Sequence, residues 1–376
     1  MKMAAVIYEE AGDASVLHYT KAFPRPQASR DHVLIRTIAS SVNPVDVKLR
    51  KHPVASFLRP LPKVHGSDVA GTVIEAPADS GFRVGDPVYA MMPHVGSKWG
   101  STAEFASIPK ELVAGAPTRI PIAHAATIPL IGTTVLQALA PVIKDWDGKT
   151  EGKKILIHAG TGGVGSFAIQ YCKNVLSMYV AVTCSESSAA LARELGADTV
   201  VDYKHQRFED VIHDFDCVLD PMAFEYEERT LRSGVLAKGA HYIHIASSPL
   251  DMEPGDAGTD HLHMAIPEAR PSHLVALSFR KFKSLFANYK YHTVFVKPNG
   301  DALRQITEWI NDGRIKPLID KEFSWKEVDQ AHDYLAKGHV HGKLIINHVD
   351  DVEDTLNGLQ SYSLADRELQ DSGNQN

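Results

Sequence analysis

Ile155-Leu156-Ile157-His158-Ala159-Gly160-Thr161-Gly162-Gly163-Val164-Gly165 sets an apolar strand against a glycine turn, and Phe167-Ala168-Ile169-Gln170 continues as a helical run. A strand that turns through glycines into a helix brings backbone N–H groups at the helix start close to a pyrophosphate. No Cβ obstructs the approach, and the helix dipole favours the anion. Gly160, Gly162 and Gly165 fill the three glycine positions of the dinucleotide fingerprint, with Thr161, Gly163 and Val164 completing the turn. The plainer reading is a tight structural turn. The strand before it, the helix after it and a second strand arriving on time favour dinucleotide binding.

The next strand bears on which dinucleotide. An NAD-binding domain usually carries Asp or Glu at the end of its second strand to accept from the ribose 2'-OH. Val180-Ala181-Val182-Thr183-Cys184-Ser185 ends in small neutral groups, which leave room for a 2'-phosphate and offer hydroxyls. NADPH is therefore the expected cofactor, with Ser185 at its phosphate. Glu186 lies just beyond and is read as a solvated helix-start residue. Tyr203 and Lys204, after the following strand, are candidates to add a phenol and a cation.

Around this segment, strands alternate with helical patterns: strands at 154–158, 180–184, 199–202, 216–220 and 240–246, helices at 163–174, 188–195 and 224–237. That alternation predicts a parallel sheet with helices on both faces, an α/β class. Before Pro121 the texture differs. Short β-branched runs such as 33–38, 69–75 and 86–90, broken by Gly and Pro, predict a twisted, largely antiparallel β unit. Helical spacing recurs at 272–289, 301–311 and 325–336, and a last strand is expected at 344–347. Beyond it, residues 350–376 form a polar acidic tail with too little apolar surface to offset the entropy of ordering.

Bulk properties narrow the function classes. At 376 residues two domains are expected. With 39 Lys+Arg against 46 Asp+Glu, the net charge of -7 argues against non-specific nucleic-acid binding. No apolar run approaches the roughly 20 residues of a membrane span. Residues 1–10 read as a strand rather than a leader, so a cytoplasmic location is expected. Three cysteines, none spaced as CxxC, build neither a disulfide framework nor a thiolate zinc lobe. His241, His244, His261 and His263 cluster in sequence, but the first two lie three apart in an expected strand and face opposite sides. No metal site is expected.

Spaced motifs run the length of the chain: Ser41-Val42-Asn43-Pro44-Val45-Asp46, Gly66-Ser67-Asp68-Val69-Ala70-Gly71, Val84-Gly85-Asp86-Pro87-Val88, Ile131-Gly132-Thr133-Thr134, the turn at 160–165, Leu195-Gly196-Ala197-Asp198 and Gly342-Lys343. Together they resemble the zinc-free branch of the medium-chain dehydrogenase/reductase superfamily, the quinone oxidoreductase group. Thr183-Cys184-Ser185, residues 198–204 and Gly313-Arg314-Ile315-Lys316-Pro317 are similar to those of the reticulon-4-interacting NADPH oxidoreductases. The resemblance implies a GroES-like catalytic domain from 1–124 completed by 291–349, with a Rossmann NADPH-binding domain at 125–290 between them. It also implies a homodimer, since edge strands of such domains commonly pair.

The resemblance assigns roles to residues. The places of the zinc ligands in metal-dependent relatives fall at Asn43, Ser67 and Asp68; one carboxylate with no thiolate or imidazole is a poor soft-metal site. Asn43 becomes a candidate donor beside nicotinamide and substrate, with Asp46 orienting the loop or relaying a proton. Alternatively Asn-Pro and Asp simply set a turn. His52 occupies the neighbourhood of a tyrosine acid found in enoyl reductases. Thr134 matches the threonine that contacts the carboxamide; Ala246, Phe295 and Val296 would line the nicotinamide pocket, and Gly342 and Lys343 would close over the cofactor.

Without a Lewis acid, the expected acceptors are already electron-poor: a quinone or an α,β-unsaturated carbonyl, a small-molecule substrate in either case. Two other readings stay open here, a 2-enoyl thioester reductase and an NADPH-binding redox-sensing partner protein with little turnover.

Overall fold

The computed structural model describes residues 1–27, 29–51, 60–93, 97–222, 225–245, 287–338 and 340–348. His52, Ala246, the stretch 247–264 with His261 and His263, most of the helix expected at 272–289 and the tail 350–376 lie outside them.

The chain opens with β1 (Lys2–Tyr8), β2 (His18–Pro24), β3 (His32–Val42) and helix α1 (Pro44–Lys51). Strands β4 (Lys63–Val64), β5 (Asp68–Glu75), β6 (Pro87–Met91), β7 (Phe105–Pro109) and β8 (Val113–Gly115) complete the β-rich unit. Helices α2 (Ile122–Ala125) and α3 (Pro129–Asp145) lead out of it. The second unit alternates: β9 (Lys154–Ile157), α4 (Gly163–Asn174), β10 (Tyr179–Cys184), α5 (Ala189–Glu194), β11 (Thr199–Asp202), β12 (Phe215–Asp220), α6 (Glu225–Arg232), β13 (Leu236–His244), β14 (Tyr289–Thr293). After α7 (Gly300–Asn311), β15 (Ile319–Ser324) and α8 (Val328–Ala336), β16 (Lys343–Asn347) ends the described chain.

The six alternating strands form one parallel sheet in the order β11-β10-β9-β12-β13-β14. This is the doubly wound Rossmann order, which leaves a crevice at the carboxyl ends where β9 and β10 part company with β12. The central strands β9, β10 and β12 are largely apolar because both faces are covered. Ile155 and Ile157 pack with α3 and α4, whereas Leu156 packs on the other face with Phe208, Val218 and Tyr242. In the first unit, β3 is the spine: it pairs antiparallel with β5, β7 and β16. The last strand thus returns some 300 residues later to the sheet begun by β3, giving the GroES-like unit its second segment.

Two expectations shift. The helix expected at 224–237 is confined to Glu225–Arg232, because Ser233-Gly234 breaks it and β13 already begins at Leu236. The domain boundary expected at 290 falls inside β14, which is hydrogen-bonded to β13 through Thr293. Cys172, Cys184 and Cys217 are free and buried.

Candidate active site

The glycine turn is built as tightly as its sequence demands. A Cβ on Gly165 would lie 2.3 Å from the Ala159 carbonyl oxygen, and one on Gly160 would lie 2.7 Å from the Val182 side chain. Only hydrogen fits where α4 crosses β9 and where the turn meets β10. Gly162, by contrast, faces only a carbonyl 3.3 Å away, and it is the N-cap of α4 with no side-chain cap in place. The first N–H groups of α4, at Gly163, Val164 and Gly165, therefore start a helix whose dipole points at the crevice. Thr161 is buried and accepts at its carbonyl from Gly342 N at 2.8 Å.

Gly342 and Lys343 bind this turn to the other unit. Gly342, at φ 78°, forms a parallel bridge with Gly162. The Lys343 stem lies over Gly163, its Cδ 3.0 Å from where a Cβ there would sit. The ammonium continues inward and donates to Asn43 Oδ1 at 2.5 Å and Val42 O at 2.8 Å, with Asp68 Oδ2 at 3.9 Å. Lys343 is 4% exposed. Its charge is spent on the interior rather than on the surface or directly on the crevice.

Asp68 collects the other donors. Its Oδ2 accepts from Asn43 Nδ2 at 2.8 Å and Ser41 Oγ at 2.9 Å, and its Oδ1 accepts from Leu130 N at 2.8 Å. It thereby caps the N-terminus of α3, a favourable place for an anion. Burial lifts Asp68 above the ordinary carboxylate range against the pull of Lys343, and burial lowers Lys343 against the pull of Asp68.

Asn43 also begins α1, with Pro44 as its first residue. Its N–H donates to Asp46 Oδ2 at 3.0 Å, one half of a capping box. The other Asp46 oxygen accepts from Ser67 Oγ. Asn43 is fully buried, and its amide is engaged with Lys343 and Asp68. Asp46 and Ser67 also line a small recess of about 10 Å³ with Tyr8, Lys63, His65 and Trp99.

The remaining site residues divide in two places. Thr134 is buried in the second turn of α3, not at its cap, and its hydroxyl donates to Leu130 O at 2.7 Å. Phe295 is half exposed and Val296 partly buried. That segment is fastened to α3 by Gln137, whose amide donates to Lys297 O at 2.6 Å and accepts from Lys297 N at 3.0 Å. Sequence reading passed over Gln137; its position one turn beyond Thr134 is the signal that was available. At the opposite end of the crevice, Tyr203 N donates to Cys184 O at 3.2 Å, bringing Tyr203 and Lys204 beside Ser185, whose hydroxyl shares hydrogen bonds with Ser187 and Ser188.

His65, one step off the motif, turns away to His332, and His241 and His244 find different partners, Asp145 and Glu227.

Two family models match: an alcohol dehydrogenase GroES-like domain over residues 29–118 and a zinc-binding dehydrogenase over 195–346. The chain is 30% identical over 370 residues to the mitochondrial NAD(P)H oxidoreductase RTN4IP1 of Danio rerio, spanning 93% of this chain and 92% of that protein. The chain belongs to the quinone oxidoreductase group of the medium-chain dehydrogenase/reductase superfamily. Among its relatives in Arabidopsis thaliana are the chloroplastic NADPH-dependent alkenal/one oxidoreductase, 30% identical over 92% of this chain and 79% of that protein, and a chloroplast envelope quinone oxidoreductase homolog, 28% identical over 89% and 94%. The fold is that of the quinone oxidoreductase from Coxiella burnetii, with a TM-score of 0.75 at 24% identity, covering 93% of this chain and all of that one.

One matching family model is described as zinc-binding, so the donor set at the corresponding places decides whether zinc fits. Asn43, Ser67 and Asp68 offer an amide, a hydroxyl and one carboxylate, and the amide oxygen already receives the Lys343 ammonium. Among the described residues, no three His, Cys, Asp or Glu ligand atoms gather there. A dication in this set would face a buried cation, and these residues do not fit zinc. Among the described residues, no helix is long and apolar enough to cross a membrane.

Proposed function

We propose that this reductase moves hydride from NADPH to a quinone or an α,β-unsaturated carbonyl without zinc. The observation that carries the reading is the Lys343 ammonium seated between Asn43 and Asp68, where a metal-dependent relative would place its ligands. The alkenal/one and quinone oxidoreductases among the relatives support the acceptor class.

NADPH, when bound, supplies the hydride. The chain's part is position and charge. Gly162 and the start of α4 receive the pyrophosphate; Ser185, Tyr203 and Lys204 flank the 2'-phosphate; Thr134 accepts from the carboxamide; and the segment at Phe295 and Val296, held by Gln137, backs the ring. The acceptor docks beside the nicotinamide. The acceptor oxygen that gains charge takes its proton from solvent, with the Asp46 carboxylate, oriented by Ser67 Oγ and the Asn43 N–H, relaying it. A homodimer joined along the edge strand β14 and a cytoplasmic location complete the reading.

Steady-state assays with NADPH and NADH against a quinone panel and an enone panel test it, alongside metal analysis of the purified protein. Turnover unaffected by chelators, with less than stoichiometric zinc, is expected. No turnover of any acceptor, or one tightly held zinc per chain at Asn43, Ser67 or Asp68, would overturn it. Mass in solution and cell fractionation address the dimer and the location.

A further inference from the structure

Several charged side chains meet where β10 and β11 end. Cys184 and Asp202 are partners in the parallel register, and Tyr203 N binds Cys184 O, so the two strand tips are locked together. Asp202 accepts from Lys204 N at 3.1 Å, from the backbone of Glu186, and from Nδ1 of His205. Ligand-type atoms of Glu186, Asp202 and His205 all lie within 4.8 Å of one another, so the imidazole shares its surroundings with two carboxylates. With Nδ1 turned to Asp202, Nε2 on the far side of the ring faces away from that partner. The side chain is 70% exposed, so a ligand can reach it.

The end of the second Rossmann strand is where such domains address the 2' position of the adenosine ribose. Here it carries two carboxylates, Glu186 and Asp202, against Lys204. With His205 neutral, one negative charge is left over, which opposes a 2'-phosphate of about -1.5 to -2. With His205 protonated the surplus is gone, and an N–H donor is added. A 2'-OH, by contrast, is indifferent to that charge.

We infer that His205 is a specificity-determining residue of the cofactor site, its imidazolium Nε2–H contacting the 2'-phosphate and offsetting Glu186 and Asp202, so that preference for NADPH over NADH falls as His205 loses its proton. The inference rests on the NADPH reading above. Hydrogen bonding to Asp202 and its charge raise the proton affinity of His205, Glu186 adds to this, and Lys204 opposes it. A bound phosphate adds another anion, so the complex keeps the proton to higher pH than the free protein.

Affinities of the full chain for NADPH and NADH, read by fluorescence titration from about pH 5.5 to about pH 8.5, test this with wild type, His205→Gln and His205→Arg. Dividing wild-type by His205→Gln affinity for NADPH cancels the ionisation of the phosphate itself. That ratio is expected to be roughly tenfold at the acid end and near one at the alkaline end. NADH affinity should stay level in all three, and His205→Arg should hold NADPH tightly across the range. A ratio that does not change with pH, or an equal loss of NADH affinity in His205→Gln, overturns the inference while leaving the NADPH reading standing. Failure of wild type to bind either nucleotide removes both.

Discussion

The Lys343 ammonium lies 2.5 Å from the Asn43 side-chain oxygen, joining two residues 300 positions apart. Because the same lysine stem crosses Gly163 and its neighbour Gly342 is bonded to Thr161, one side chain spans from the phosphate turn to the start of α1. The cofactor end and the acceptor end of the crevice are therefore mechanically one piece.

Lys343→Met should leave Asp68 buried without its counter-charge. A loss of about 3–5 kcal/mol is expected, as for other broken buried pairs. Lys343→Met combined with Asp68→Asn should lose less than Lys343→Met alone. Denaturant midpoints of the three proteins check this; a double variant no better than the single one would show that charge balance is not the cause.

Gly165→Ala and Gly162→Ala should separate folding from binding. The first puts a methyl 2.3 Å from the Ala159 oxygen and should cost about 1–3 kcal/mol or more through displacement of α4. The second meets nothing closer than 3.3 Å, so its melting temperature should change little while NADPH affinity falls, because the methyl fills space the pyrophosphate needs. Thermal melts and nucleotide titrations on both proteins decide the matter, and equal melting losses would contradict the assignment.

Asp46→Ala removes an acceptor of both the Asn43 N–H and the Ser67 hydroxyl. About 1 kcal/mol of stability should go with the cap. If Asp46 also relays a solvent proton to the reduced acceptor, kcat should fall at unchanged KM for NADPH, and Asp46→Asn should retain more stability than Asp46→Ala but no more turnover. A variant with full kcat would make Asp46 purely structural.

Acid should weaken the fold through its buried imidazoles. Arg50 donates to His332 Nδ1, so His332 Nε2 carries the hydrogen given to His65 Nε2 at 2.7 Å, and His65 Nδ1 donates to Thr102. That chain requires both rings neutral. Burial pushes His65 and His158 down to about 4 and His332 well down. Their folded proton affinity is below the unfolded one, so the stability they confer is complete above about pH 6.5 and drains as pH falls toward 4, at about 3 kcal/mol for His65 and for His158. Asp68, raised by burial, works in the opposite sense but is outnumbered. The denaturant midpoint should drop between about pH 7 and about pH 4.5; a level or rising midpoint would refute this balance.

What the sequence made legible was local. Gly160, Gly162 and Gly165 announce their turn because each constraint is met by residues within one strand and one helix. Asn43-Pro44 with Asp46 reads as a helix start for the same reason. Lys343 is different: lysines default to the surface, and nothing near position 343 says that an amide and a carboxylate from β3 and β5 converge on its ammonium. The recess beside Ser67 and the clamp of Gln137 on Lys297 depend on packing between distant segments. His205 stood unmarked because an exposed histidine after a strand has no pattern of its own; its meaning comes from Asp202 and Glu186, which the register of two strands brings to it.

The pairing of β16 with β3, from Leu344 against Val42 to Asn347 against Ala39, sets an order of events during synthesis. A nascent chain can assemble its nucleotide-binding sheet while that edge of β3 still waits for its neighbour. Ribosomal stalling or a nonsense codon upstream of residue 343 would release a polypeptide with a bare strand edge, the kind of surface that chaperones shield and that other chains invade.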